Sequence, residues 1–149
     1  MIARRVNQLE VLTCEPKERR HAAPLLFVHG AFAGAWVWDE HFLPWFAAQG
    51  FSAHAVSLRG HGGSAGHERI DWYSIHDYVE DVAEVIADLA AAPVLIGHSM
   101  GGFVVQKYLE RHSVPAAVLM CSVPPQGLVA AQFSLLFEKP GLMMEINRL

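Results

Sequence analysis

The chain has 149 residues, of which 52% are hydrophobic and 17% charged, with a formal net charge of −4. This is a globular balance, long enough for one domain with its own core. A mildly acidic chain without a basic patch argues against nucleic acid as a partner.

Residues 1 to 20 alternate charged and apolar side chains without an apolar run, so no signal peptide is expected and the chain reads as cytoplasmic. Cys14 and Cys121 are the only cysteines, expected as small buried hydrophobes rather than a disulfide. The stretch Ala22 to Trp38 is apolar, but Pro24, His29, Gly30 and Gly34 interrupt it, so no membrane span is expected.

Val6 to Thr13 alternates moderately and predicts one or two edge strands. Four short apolar runs predict buried strands: Pro24 to Val28, Ser52 to Leu58, Pro93 to Ile96 and Ala116 to Cys121. Continuous apolar strands belong to parallel sheets covered on both faces. Between Trp38 and Gly50 a short helix is expected, started or kinked by Pro44. Ile75, Tyr78, Val79, Val82, Val85, Ile86 and Leu89 recur at helical steps, after a capping box of Ser74 and Asp77. Asp77, Glu80, Asp81, Glu84 and Asp88 fill the other face, expected as solvated surface rather than a metal site. A further helix is expected from Met100 to about His112. Alternating strand and helix gives an α/β class with a mainly parallel sheet.

The chemistry centres on Gly97-His98-Ser99-Met100-Gly101. An apolar strand runs straight into Gly97 and a helix follows Ser99 directly. A serine at that junction sits in a sharp, strained turn that exposes its oxygen, and small flanking residues relieve the crowding. The helix N-terminus favours developing negative charge. His98 is expected to pack rather than catalyse. The second motif is His29-Gly30-Ala31-Phe32, at the end of an earlier buried strand. A serine that transfers acyl groups needs two N–H donors aimed at the tetrahedral oxyanion. The expected donors are the backbone N–H groups of Met100 and Ala31, with Gly30 allowing close approach. Gly60-x-Gly62-x-x-Ala65 mimics a dinucleotide fingerprint, but no helix is expected there before about Ser74.

Taken with Trp36-Val37-Trp38 and Arg59-Gly60-His61-Gly62-Gly63-Ser64, these motifs resemble the α/β-hydrolase superfamily of esterases, lipases and lysophospholipase-like enzymes. The resemblance covers roughly residues 6 to 126. It implies a three-layer α/β sandwich, an acyl-enzyme on Ser99, no cofactor and no metal, and a small ester or lipid substrate. His29, Gly30, Phe32, Gly97, His98 and Gly101 would form the elbow and pocket. His61 would line the pocket at most, since its strand stands two places from the serine's, about 10 Å away. The family usually carries an Asp two residues before the Arg-Gly loop, where this chain has Ser57.

The same resemblance expects an acid and then a histidine after the serine. After Ser99 there is no Asp; the only Glu residues are Glu110, Glu138 and Glu145, and the only His is His112. His112 ends the helix that starts at the serine, roughly 18–20 Å away at 1.5 Å per residue. The expectation is therefore a core of residues 1–126, truncated after about the sixth strand. Residues 127–149, broken by Pro140-Gly141, would begin a helical lid. The strand Ala116 to Cys121 would be an open edge, able to pair with another copy or with a complementing chain. A lyase or cofactor-free peroxidase on the same scaffold, or a non-catalytic binding module, are the alternatives. Ser99 argues against a dehalogenase, which wants an aspartate nucleophile at that place.

Overall fold

A computed structural model describes residues 1–127. Its strands are β1 (Ile2–Val6), β2 (Leu9–Cys14), β3 (Leu25–Val28), β4 (Ala53–Val56), β5 (Val94–His98) and β6 (Ala117–Met120). Its α-helices are α1 (Phe42–Ala48), α2 (Ile75–Asp88) and α3 (Met100–Leu109), with 3-10 helices at Ala35–Trp38 and His67–Trp72. The strands form one sheet in the order β1-β2-β4-β3-β5-β6. The four strands from β3 onward pair in parallel, and the β1–β2 hairpin adds antiparallel through β2 to β4.

Period-two alternation sorts the strand side chains onto two faces. Leu26, Val28, Val56 and Leu95 share one core with Val82, Val85, Val104 and Val105, from α2 and α3. Leu25, Phe27, Ala53, Ala55 and Ile96 share the other with Ala35, Trp38 and Leu43. Helix on sheet on helix gives the three expected layers. Burying a valine or leucine is worth roughly 1.5–3 kcal/mol, so these two stripes anchor the helices. In register, Val28 sits between Val56 of β4 and Gly97 of β5, so the loops leaving all three strands emerge at one end of the sheet.

Several elements depart from the sequence reading. The hairpin strand β1 starts at Ile2, with Asn7 at φ +49° in the turn, and of the two hairpin strands β1 alone is an edge; β2 lies inside the sheet. Charged Arg4 and Arg5 hide the strand because one face of β1 meets solvent. Cys121 is exposed and Cys14 half-buried, since both stand where a strand ends. A 3-10 helix occupies His67–Trp72, before the expected start at Ser74. The capping box of Ser74 and Asp77 is present.

The acidic face of α2 is a set of clamps. Asp81 is only 1% exposed. Its carboxylate accepts from Arg59 backbone N at 2.7 Å and from Arg59 Nε at 2.7 Å. Asp88 pairs with Arg4, and Glu84 accepts from Asn7 Nδ2, which ties the hairpin to α2. Among the described residues no three His, Cys, Asp or Glu side chains gather as a metal site, and no helix is long and apolar enough to cross a membrane. The lid expected over residues 127–149 falls, beyond Gly127, outside the described residues.

Candidate active site

β5 delivers Ser99 at the end of the sheet where the β3 and β4 loops also emerge. Ser99 holds φ +52° and ψ −116°, and Met100 begins α3 immediately. A non-glycine residue at positive φ is strained, of order 1–3 kcal/mol, and persists only where its surroundings enforce it. Here they do. Ser99 N donates to Met120 O at 3.0 Å. Its carbonyl accepts from Phe103 N at 3.2 Å and from Val123 N at 3.1 Å. Helix, following strand and following loop each fix one bond of the elbow.

The flanking glycines are needed for space. A Cβ on Gly97 would lie 2.5 Å from Gly101 O and 2.7 Å from Gly102 Cα. A Cβ on Gly101 would collide with the carbonyl oxygens of Val28 and His29. α3 therefore starts hard against β5 and β3. Its first N–H groups, Met100 foremost, have no intrahelical acceptor.

The His29 loop lies directly beside the serine. A Cβ on Gly30 would fall 3.2 Å from Ser99 Cβ and 3.1 Å from His98 Nδ1. His29 itself is fully buried. Its Nδ1 donates to Gly30 O at 2.7 Å, and its Nε2 accepts from Leu58 N at 3.0 Å. Burial pushes its pKa down to about 4. His29 is thus a neutral strut joining two loops, with both nitrogens engaged. Ala31 follows Gly30 and is exposed. Phe32 is 98% exposed at φ +58°, so among the described residues it stands on the rim rather than lining a closed pocket.

His98 is exposed, which corrects its expected packing. It is the last residue of β5, and its ring stands edge-on to Trp38 at 6.5 Å. His61 is buried, its Nδ1 donating to Arg59 O at 3.1 Å and its ring 5.0 Å from His29. β4 is two places from β5, as expected. His112 stacks on Tyr108 at 4.5 Å, beyond the far end of α3. Among the described residues no imidazole hydrogen-bonds the Ser99 hydroxyl.

Sequence reasoning missed two residues that serve this end of the sheet. Ser57 is fully buried; its Oγ accepts from Ala35 N at 2.8 Å and donates to Glu10 Oε2 at 2.7 Å. Glu10 also accepts from Gly63 N at 2.8 Å. The only signal in the sequence was Ser57 standing where the related pattern has an aspartate.

A strained serine between a parallel strand and a helix, with a His-Gly loop against it, is the arrangement of one large family. Its model, described as "Alpha/beta hydrolase family", matches residues 25–147. The chain belongs to the alpha/beta hydrolase family. It is 37% identical over 108 residues to a non-heme haloperoxidase of Rhodococcus erythropolis, covering 68% of this chain and 38% of that protein. It is 29% identical over 137 residues to epoxide hydrolase A of Mycobacterium tuberculosis, covering 81% of this chain and 42% of that one. The solved thioesterase domain from the curacin biosynthetic pathway superposes with a TM-score of 0.67 at 25% identity, covering 87% of this chain and 48% of the domain. This alpha/beta hydrolase chain thus spans less than half the length of each.

Proposed function

We propose that the chain carries the nucleophile and the oxyanion-binding half of a serine hydrolase that acts on carboxylic esters or lipids. The observation that carries this reading is the backbone of Ser99, strained and tied on three sides with the His29-Gly30 loop against it. The Ser99 Oγ would attack the acyl carbonyl and expel the alcohol, which takes up a proton as it leaves. Met100 and Ala31 N–H groups would hold the oxyanion of the tetrahedral intermediate. Water would then release the acid. The base that takes the serine's proton is not among the described residues. The 149-residue chain is accordingly expected to turn over slowly. Substrate binding and an oxyanion hole without a triad leave roughly 10³–10⁴-fold over water in serine proteases.

The test is covalent labelling of the chain with a fluorophosphonate in the presence of imidazole as external base and, separately without imidazole, hydrolysis of p-nitrophenyl esters, with Ser99→Ala as control. Labelling confined to the native chain supports the reading; equal labelling of both refutes it. Turnover of several per second, lost in Ser99→Ala, would mean that a histidine of this chain acts as the base.

The identity to the Rhodococcus haloperoxidase favours one second reading, a cofactor-free peroxidase on the same serine. An acyl-enzyme released by hydrogen peroxide rather than water yields a peracid. Halide oxidation that requires both peroxide and a carboxylic acid separates the two.

A further inference from the structure

The loop 30–34 is tied down at both ends by consecutive residues of one neighbouring segment. At its start, His29 Nε2 accepts from Leu58 N. At its end, Ala35 N donates to Ser57 Oγ. We propose that Ser57 and Glu10 are positioning residues that set the Ala31 N–H relative to Ser99. This rests on the reading of Ala31 as an oxyanion donor.

The polarity of the chain of bonds supports the role. Glu10 Oε2 accepts from both the Ser57 hydroxyl and Gly63 N. A carboxylate offers only acceptors, whereas a hydroxyl can donate once and accept twice. Glu10 therefore draws the Ser57 hydrogen toward itself and leaves the oxygen's lone pairs facing Ala35 N–H. The clamp is itself braced. Ser57 N donates to Glu10 O at 2.9 Å. Ser64 Oγ accepts from Glu10 N at 2.8 Å and donates to Ser57 O at 2.5 Å. The device is one of direction and reach. Both side chains lie outside the reacting centre, and neither belongs to the serine elbow. Between the two ties stand Gly30, where an added Cβ would fall 3.2 Å from Ser99 Cβ, and Phe32 at positive φ, so a small shift at Ala35 would carry through to the N–H of Ala31.

The experiment compares native chain, Ser57→Ala, Glu10→Ala and the double variant Glu10→Ala with Ser57→Asp. Two quantities are read: the rate of fluorophosphonate labelling at Ser99, and amide hydrogen exchange of Ala35 against the β3 amides. Losing an oxyanion donor outright costs roughly 100- to 1000-fold, so loosening one is expected to slow labelling about 10-fold. Ser57→Ala should do this and speed Ala35 exchange by a similar factor, with β3 protection unchanged. The double variant should recover both, because an aspartate at 57 offers Ala35 N–H a carboxylate of its own. A merely structural role would change β3 protection and leave the rate per folded molecule at the native value. Native-rate labelling of folded Ser57→Ala, or unchanged Ala35 exchange, would overturn the positioning role while leaving Ser99 as nucleophile. If Ser57→Ala does not fold, failure of the folded double variant to match the native rate would overturn it. Absence of labelling at Ser99 in the native chain even with imidazole supplied as external base would overturn the acyl-transfer reading and this role with it.

Discussion

Gly101 faces the carbonyl oxygen of His29 so closely that no side chain fits between them. The start of α3 and the loop after β3 are therefore packed backbone against backbone. Gly101→Ala is expected to cost roughly 3 kcal/mol, the upper end for overpacking, because both opposing atoms are backbone. Gly30→Ala meets side-chain atoms of His98 and Ser99 at 3.1–3.2 Å, which can yield. It should cost only about 1 kcal/mol in urea unfolding while still slowing labelling of Ser99. Equal stability losses in the two variants would contradict this.

Stability should fall on acidification through His29. Its folded pKa is about 4, below the ordinary value of 6.5. Between those limits the unfolded chain binds a proton that the folded one refuses. The contribution is complete above pH 6.5, declines from there to about pH 4, and amounts to roughly 3 kcal/mol at most. Burial lowers the His54 pKa in the same direction. Urea midpoints at pH 7.5 and 4.5 should diverge less in His29→Gln than in the native chain; an identical pH slope would count against the assignment.

The pair Arg59 and Asp81 should respond unequally to truncation. Arg59 also reaches Asp77 at 3.2 Å and Glu80 at 3.5 Å. Asp81→Ala therefore leaves the cation partly compensated, at about 2 kcal/mol. Arg59→Ala leaves a buried carboxyl, which burial already pushes above its ordinary range, with only the backbone N–H of residue 59, and should cost roughly 3 kcal/mol. A double-mutant cycle in urea checks the order of the two losses.

How much of this was legible depended on whether a feature was local. The elbow was readable because an apolar strand, two glycines and a helix start are consecutive. Asp81 was misplaced, although the pattern contained the correction. It lies on the same i, i+3, i+4, i+7 stripe as Tyr78, Val82 and Val85, all buried. An acid on an apolar stripe asks for a buried partner, which Arg59 supplies from another loop. Glu10 and Ser57 stand 47 residues apart and meet only across the pairing of β2 with β4, so no window could join them. His98 was misjudged because it stands where β5 stops, past the last position that both sheet neighbours cover.

Among the described residues β6 pairs only with β5, and Val118 and Leu119 are each 46% exposed. An apolar edge is a template for strand addition. The chain is expected to self-associate at tens of micromolar, and Val118→Lys to reduce this. Light scattering that shows a clean monomer for the native chain would sink the expectation.

The bonds from Ser99 to Met120 and Val123 also impose an order of events. The serine leaves the ribosome about twenty residues ahead of the groups that hold it in its strained shape. Until β6 docks, only the bond from Phe103 N, of the three, holds that backbone. The strained shape of Ser99 gains its remaining ties only as the segment behind it folds, and a fragment ending before Met120 would carry the motif without two of the three bonds that hold it.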